Sequence, residues 1–256
     1  MKKLPEITIA FWIMKICATT LGETAGDLMS MTLNIGYGFS SVILLFIFMT
    51  VLLGQLISKK YIPPLYWAVI LATSTAGTTI SDFMDRTLGL GYAKGSAILI
   101  ILLLAILFLW KKTENSLNVT TINSFRGEIF YWTAILFSNT LGTALGDFIA
   151  DNTGLGFLGG AILIATLLLI IALAYYFLKV SHIALFWLAF ILTRPFGATF
   201  GDLLTKPVEK GGLNLGTIGS SLLLFIILSS LIFYSIFKKS KHKINTIETS
   251  ESDLKF

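Results

Sequence analysis

Cysteine and histidine are almost missing from this 256-residue chain, which has Cys17 as its single thiol and His182 and His242 as its two imidazoles. One thiol excludes an intrachain disulfide, and so few sulfur and imidazole ligands exclude a Cys/His metal cage. Charge is scarce too, at 13% of residues where soluble domains carry about 25%. Such a chain cannot cover a globule of its size with charge, so a soluble enzyme and a disordered segment are both excluded, and no nucleophile constellation points to an enzyme. The net charge of +5 is no footprint for nucleic acid, because the lysines sit in short loops and the tail, where membrane topology accounts for them.

What the chain has is apolar length. Hydrophobic residues make up 55% and mean hydropathy is +0.83. They fall in runs of roughly 18–25 residues, the length that crosses a hydrocarbon core of about 30 Å. The reading is an all-α, polytopic membrane protein whose first partner is the lipid bilayer. The N-terminus resembles a signal peptide in having Lys2 and Lys3 before an apolar stretch, but Glu6 and Lys15 interrupt that stretch. It is expected to be a retained first helix.

An internal repeat organises the rest. Trp12–Asp27, Trp67–Asp82, Trp132–Asp147 and Trp187–Asp202 align without a gap, with Trp and Asp 15 residues apart each time. Five before each aspartate stands Gly22, Gly77, Gly142 or Gly197, and one before it stands Gly26, Ser81, Gly146 or Gly201. The aspartates are spaced 55, 65 and 55 apart, so the two halves superimpose at an offset of 120, as a twice-duplicated unit would. Each unit reads as a helical hairpin: a motif helix, a Gly-rich turn, and an apolar helix at about 39–57, 95–110, 158–178 and 217–237. Repeat four lengthens its turn by Lys206-Pro207-Val208-Glu209-Lys210.

The expected architecture is a single transmembrane domain over residues 1–256, with eight transmembrane helices as four parallel hairpin repeats at approximately 7–58, 62–111, 126–179 and 182–238, and a tail at 239–256. Basic residues in short loops set orientation. Lys2, Lys3, Lys59, Lys60, Lys111, Lys112, Arg126, Lys179, Lys238, Lys239, Lys241 and Lys243 fall on one side, against Arg86, Lys94, Lys206 and Lys210 on the other. Both termini and the tail are therefore expected in the cytoplasm.

Positions eight, four and zero before each aspartate share a helix face. They are Thr19, Glu23, Asp27; Ser74, Thr78, Asp82; Asn139, Thr143, Asp147; and Arg194, Ala198, Asp202, with Lys15 extending the first stripe. Such stripes cannot face lipid cheaply, since Asp, Lys or Arg costs about 2.5–3.5 kcal/mol near a helix centre. They are expected to meet around a central acidic cavity. The Gly-x-x-x-Gly/Ser pairs suit close helix packing and nothing more. The tryptophans suit membrane-interface anchors. Asp85 and Asp151 are expected at the rim, and Pro195 to kink repeat four.

Aspartate is a costly residue for packing alone, so the stripes point to ion or proton handling. The candidate ion-binding residues are Asp27, Asp82, Asp147, Asp202, Glu23, Thr78, Thr143 and Asn139, with Lys15 and Arg194 as charge partners; the five carboxylates are candidate metal ligands. Five acids against those two bases leave a formal −3. Only Asp27 has an acidic neighbour one turn away, Glu23, which singles out that pair. An all-oxygen set beside helix C-termini suits a hard cation such as Mg²⁺, Mn²⁺ or Ca²⁺. No cofactor is expected; a divalent cation would be a substrate.

The Gly-x-x-x-Gly-Asp core and the Gly-rich turn, running over nearly the whole chain, resemble the bacterial integral membrane proteins defined by four tandem copies of a repeat of unknown function. The resemblance implies the architecture and a bacterial inner membrane, and no substrate. Glu23-Thr24-Ala25-Gly26-Asp27 is similar to the Glu-x-Gly-Asp signature of a calcium/manganese–proton exchanger family, with one residue more between Glu and Gly. The expected function is transport of a small cation, a divalent metal ahead of a monovalent ion. The alternatives are a proton-coupled transporter of an organic solute and a membrane scaffold or assembly protein.

Overall fold

The computed structural model describes residues 3–122 and 124–253, with side chains for 3–120, 122 and 124–237. Lys2, residues 254–256 of the expected tail, and the side chains of Lys238, Lys239, Lys241 and Lys243 lie outside the described residues. Eight long helices and no strand occur among the described residues: α1 (Ile9–Asp27), α2 (Tyr37–Ile57), α3 (Pro63–Asp82), α4 (Tyr92–Glu114), α5 (Phe125–Asp147), α6 (Gly156–Phe177), α7 (His182–Thr205) and α8 (Thr217–Asp253). The side chains of Thr8, Ser124 and Ser181 accept the first free N–H groups of α1, α5 and α7, and α3 opens on Pro63-Pro64. The backbone of α8 runs helical into the expected tail, and α7 is unbroken across the buried Pro195.

The four motif helices form a closed ring, α1 on α3, α3 on α5, α5 on α7, and α7 back on α1. The small residues explain why. A Cβ on Gly22 or Gly26 would strike Ser74 or Thr78, one on Gly77 would strike Asn139 and Thr140, and one on Gly142 would strike Arg194. A Cβ on Gly197 or Gly201 would meet Thr19 or Glu23. Each small face thus receives the polar stripe of the next motif helix, which brings all four stripes inside the ring.

The apolar helices form an outer layer, and here the hairpin expectation is corrected. α2 packs chiefly on α3, α4 on α5, α6 on α7, and α8 on α1. Each apolar helix covers the motif helix of the following repeat rather than its own. The turn sets this offset. A π-helical turn continues each of the first three motif helices past its aspartate, at Leu28–Thr32, Phe83–Thr87 and Phe148–Asn152. Two residues with positive φ then reverse the chain: Asn34 and Gly36, Gly89 and Gly91, Gly154 and Gly156, and in repeat four Asn214 and Gly216. Nothing lies within 4 Å of a Cβ built on Gly36, so glycine is needed there for its φ of +82° and not for space.

Five helices, α2, α4, α6, α7 and α8, are long and apolar enough to cross a membrane, and their outer faces expose residues such as Phe39, Phe46, Phe108 and Phe225. This marks the chain as a membrane protein. α1, α3 and α5 are less apolar because Thr, Ser, Gly and Asp fill their ring-facing sides.

The ring makes a direct prediction. Gly22→Ala should destabilise by about 1–3 kcal/mol, because its Cβ must push α1 from Ser74 of α3. Gly219→Ala in α8, where a Cβ meets nothing within 4 Å, should be neutral or slightly stabilising. Unfolding temperatures in detergent compare the two.

Candidate functional site

Inside the ring the polar residues stack in layers. Deepest toward the tryptophans, Lys15 lies fully buried, 3.4 Å from Asn139 Oδ1 and 4.0 Å from the centre of the Phe190 ring. Asn139 in turn donates to Thr73 Oγ1 at 2.9 Å.

The next layer is built around Arg194 and Glu23. The guanidinium lies 3.0 Å from Glu23 Oε2 and donates to Thr78 Oγ1 at 2.5 Å and Thr143 Oγ1 at 2.7 Å. Both threonines donate to Glu23 Oε2 at 3.2 Å. The Thr19 carbonyl accepts from Nη1 at 3.1 Å, and the Ser74 carbonyl, 3.2 Å from Nη2, shares that nitrogen's two N–H groups with the threonines. Arg194 therefore reaches a full turn along the axis and ties all four motif helices together. Ala198, one turn further along α7, packs its methyl against Gly146 of α5.

At the aspartate end lie two clamps. Arg86 sits 2.7 Å from Asp82 and 3.0 Å from Asp147. Lys206 sits 2.6 Å from Asp27 and 3.0 Å from Asp202. Arg86 and Lys206 each stand four residues after the aspartate of their own repeat, and each also binds the aspartate of the next repeat around the ring. They are 120 apart in sequence, so the clamps obey the two-fold relation of the halves. Burial pulls the Lys206 pKa down, but the Asp202 and Asp27 carboxylates outweigh it and hold the ammonium above the ordinary lysine range.

Both residues are expected in loops from the sequence, yet they pair the four motif aspartates, which Lys15 and Arg194 alone would leave largely uncompensated. Five carboxylates face four cations, a formal −1 and not −3. The available signal was the stripe itself: one turn past the aspartates stand Met31, Arg86, Asp151 and Lys206, and of these Arg86 and Lys206 turn back onto the aspartates.

Glu23, Asp147 and Asp202 come from three different helices, yet each offers an oxygen within 4.8 Å of the others. Asp27, the expected acidic partner of Glu23, is outside this group. All four motif aspartates are 2–3% exposed, with the ion-paired side chains of Arg86 and Lys206 against them. Asp85, expected at the rim, is buried, accepts from Ser81 and presses on Gly95 of α4; Asp151 is exposed.

The opposite end of the ring is closed by aromatic residues. The Tyr66 and Tyr131 hydroxyls meet at 2.8 Å, with Trp67 and Trp132 packed on the tyrosine rings, and Trp187 packs on Phe190. Trp67 and Trp132 are 1% exposed, which corrects their reading as interface anchors; Trp187 is buried as well, and Trp12 is half-buried. Below them Lys3 binds Glu128 at 2.7 Å.

A family model described as "Repeat of Unknown Function (DUF347)" matches the chain four times, at residues 10–61, 65–116, 130–181 and 185–240. No curated protein and no solved structure matches it.

Proposed function

Since the chain belongs to this family, whose description names a repeat and no activity, we propose its function from the site: it is a membrane transporter of a small cation, a divalent metal ahead of a monovalent ion, and not an enzyme. The observation that carries the reading is the convergence of Glu23, Asp147 and Asp202, with ligand oxygens within 4.8 Å of one another in a buried site. Arg194, Arg86 and Lys206 each contact one of these carboxylates, and a cation or proton between the three relieves the repulsion that remains. An all-oxygen set suits a hard divalent ion.

Two of the three carboxylates, Asp147 and Asp202, are held by the clamps, which close one end of the site, and the aromatic layer closes the other. Transport then requires each to open in turn, with the ion held at the triad between them. All eight helices cross the membrane in this reading: α1, α3 and α5 are polar only where they face the ring, and the outer helices supply the lipid-facing surface. Arg86 and Lys206 are bound inside as counter-ions, which leaves Lys94 and Lys210 as loop charges on their side. The excess of basic residues on the other side then puts both termini in the cytoplasm of a bacterial inner membrane. One observation favours a second reading, a proton-coupled transporter of an organic solute: every motif aspartate is already within 3.0 Å of Arg86 or Lys206.

Thermal unfolding in detergent, titrated with Mn²⁺, Mg²⁺ and Ca²⁺ at two pH values, tests the reading. An ion that binds only the folded state stabilises it by RT ln(1 + [L]/Kd), about 2.7 kcal/mol at 100 Kd. At least one divalent ion should raise the unfolding temperature with concentration. The effect should shrink at the lower pH, where protons compete for the same carboxylates. A flat response to all three ions at both pH values contradicts metal transport and favours the solute transporter or a membrane scaffold.

A further inference from the structure

We infer that the Lys206 ammonium occupies the first binding position of the transported cation, between Asp27 and Asp202, and that the ion enters by displacing it along the α1–α7 seam. This rests on the cation-transport reading and names its route.

The geometry is that of a bound cation. Nζ bridges two carboxylates from two helices, at 2.6 Å from Asp27 Oδ2 and 3.0 Å from Asp202 Oδ1. Asp202 also belongs to the triad with Glu23 and Asp147. A cation in the Nζ position therefore shares a ligand with the deeper site and has one step to take. The side chain sits at the rim, 17% exposed, whereas both of its carboxylates are almost fully buried. Nζ also lies 4.0 Å from Met31 Sδ, and the Tyr37 hydroxyl is close enough to interact with it electrostatically.

Only the side chain has to move. The Lys206 N–H donates to Asp202 O at 2.9 Å and its carbonyl accepts from Asn214 N at 2.9 Å, so the loop backbone is held. A lysine is a compact charge on a flexible stem, able to swing out without breaking these bonds.

The other clamp shows what a fixed counter-ion looks like. Arg86 forks onto Asp82 and Asp147 and lies 6.0 Å from the ring of Tyr37 and 5.6 Å from that of Tyr92. The positions equivalent to these tyrosines in the other half are Phe157 and Thr217, and the Thr217 hydroxyl is engaged with Thr32 at 2.6 Å. Of two clamps related by the duplication, one is a planar fork between two rings and the other a single ammonium on a lengthened loop. The second is the releasable one.

The test uses the full chain in detergent and reads the Mn²⁺ concentration giving half of the maximal rise in unfolding temperature. Lys206→Met removes the tethered charge at nearly constant length and should lower that concentration at least tenfold. Lys206→Arg supplies a fork that is harder to displace and should raise it at least threefold. The metal-free unfolding temperature reports separately on folding, and K206R carries the test if K206M does not fold. Opposite shifts in the two variants support the inference. A wild type that responds while K206M and K206R stay within twofold of it overturns the inference and leaves cation transport standing. A flat response in the wild type and both variants overturns both.

Discussion

Replacing Arg194 by leucine should unfold the protein or bring it close to unfolding, a loss of about 3–5 kcal/mol. The guanidinium is fully buried and bonds the Thr19 and Ser74 carbonyls, the Thr78 and Thr143 hydroxyls and the Glu23 carboxylate. Its loss strands Glu23 as a buried charge and leaves four acceptors on three helices without their donor. Lysine is a poor replacement, because a single ammonium cannot reproduce the fork that spans them. Adding Glu23→Gln to Arg194→Leu should restore a substantial part of the loss by removing the stranded charge. Unfolding temperature and yield of the two variants in detergent check this. An R194L protein that unfolds within a few degrees of the wild type contradicts the central role given to this layer.

The second large effect concerns metal affinity. Asp147→Asn and Asp202→Asn should each weaken Mn²⁺ binding at least tenfold, about 1.4 kcal/mol, because each removes a charged oxygen from the group that Glu23 completes. Asp82→Asn should cost less, about threefold, since Asp82 lies outside that group. Titration calorimetry on the purified variants measures the order. Equal losses at Asp82, Asp147 and Asp202 would mean that the ion senses only the net charge of the ring and not a particular set of ligands.

Sequence alone singled out Asp27 with Glu23, on the ground that they stand one turn apart on one helix. Helix spacing reports neighbours along a helix and says nothing of which carboxylates approach across the ring. There, Glu23 meets residues of α5 and α7. The ring itself was legible, because Gly22, Gly77, Gly142 and Gly197 fix where one helix backbone meets the next and the polar stripe has a single period. The partner of each outer helix was not legible. Helices such as α6 are apolar on all sides, so no face indicates a neighbour; the turn after each aspartate decides it. Arg86 and Lys206 were hidden by an assumption about helix length. With the helix taken to end at the aspartate, a basic residue four positions later reads as a loop charge. The π turn carries Arg86 back over Asp82, and the first turn of the repeat-four loop does the same for Lys206. The tryptophans misled for a similar reason: an apolar ring with one polar atom suits a membrane interface and a closed helix ring equally well, and Trp67 and Trp132 lie in the latter.

The central claim is that a divalent cation crosses the membrane through the Glu23–Asp147–Asp202 site. Purified protein in liposomes, loaded with a metal-sensitive dye and given Mn²⁺, Mg²⁺ or Ca²⁺ with and without a pH gradient, tests it most directly. The account predicts flux of at least one of these ions above that of empty liposomes, reduced at least tenfold by Asp202→Asn. Wild-type protein that moves none of the three ions under any gradient, or an Asp202→Asn variant that moves them as fast as the wild type, would contradict it.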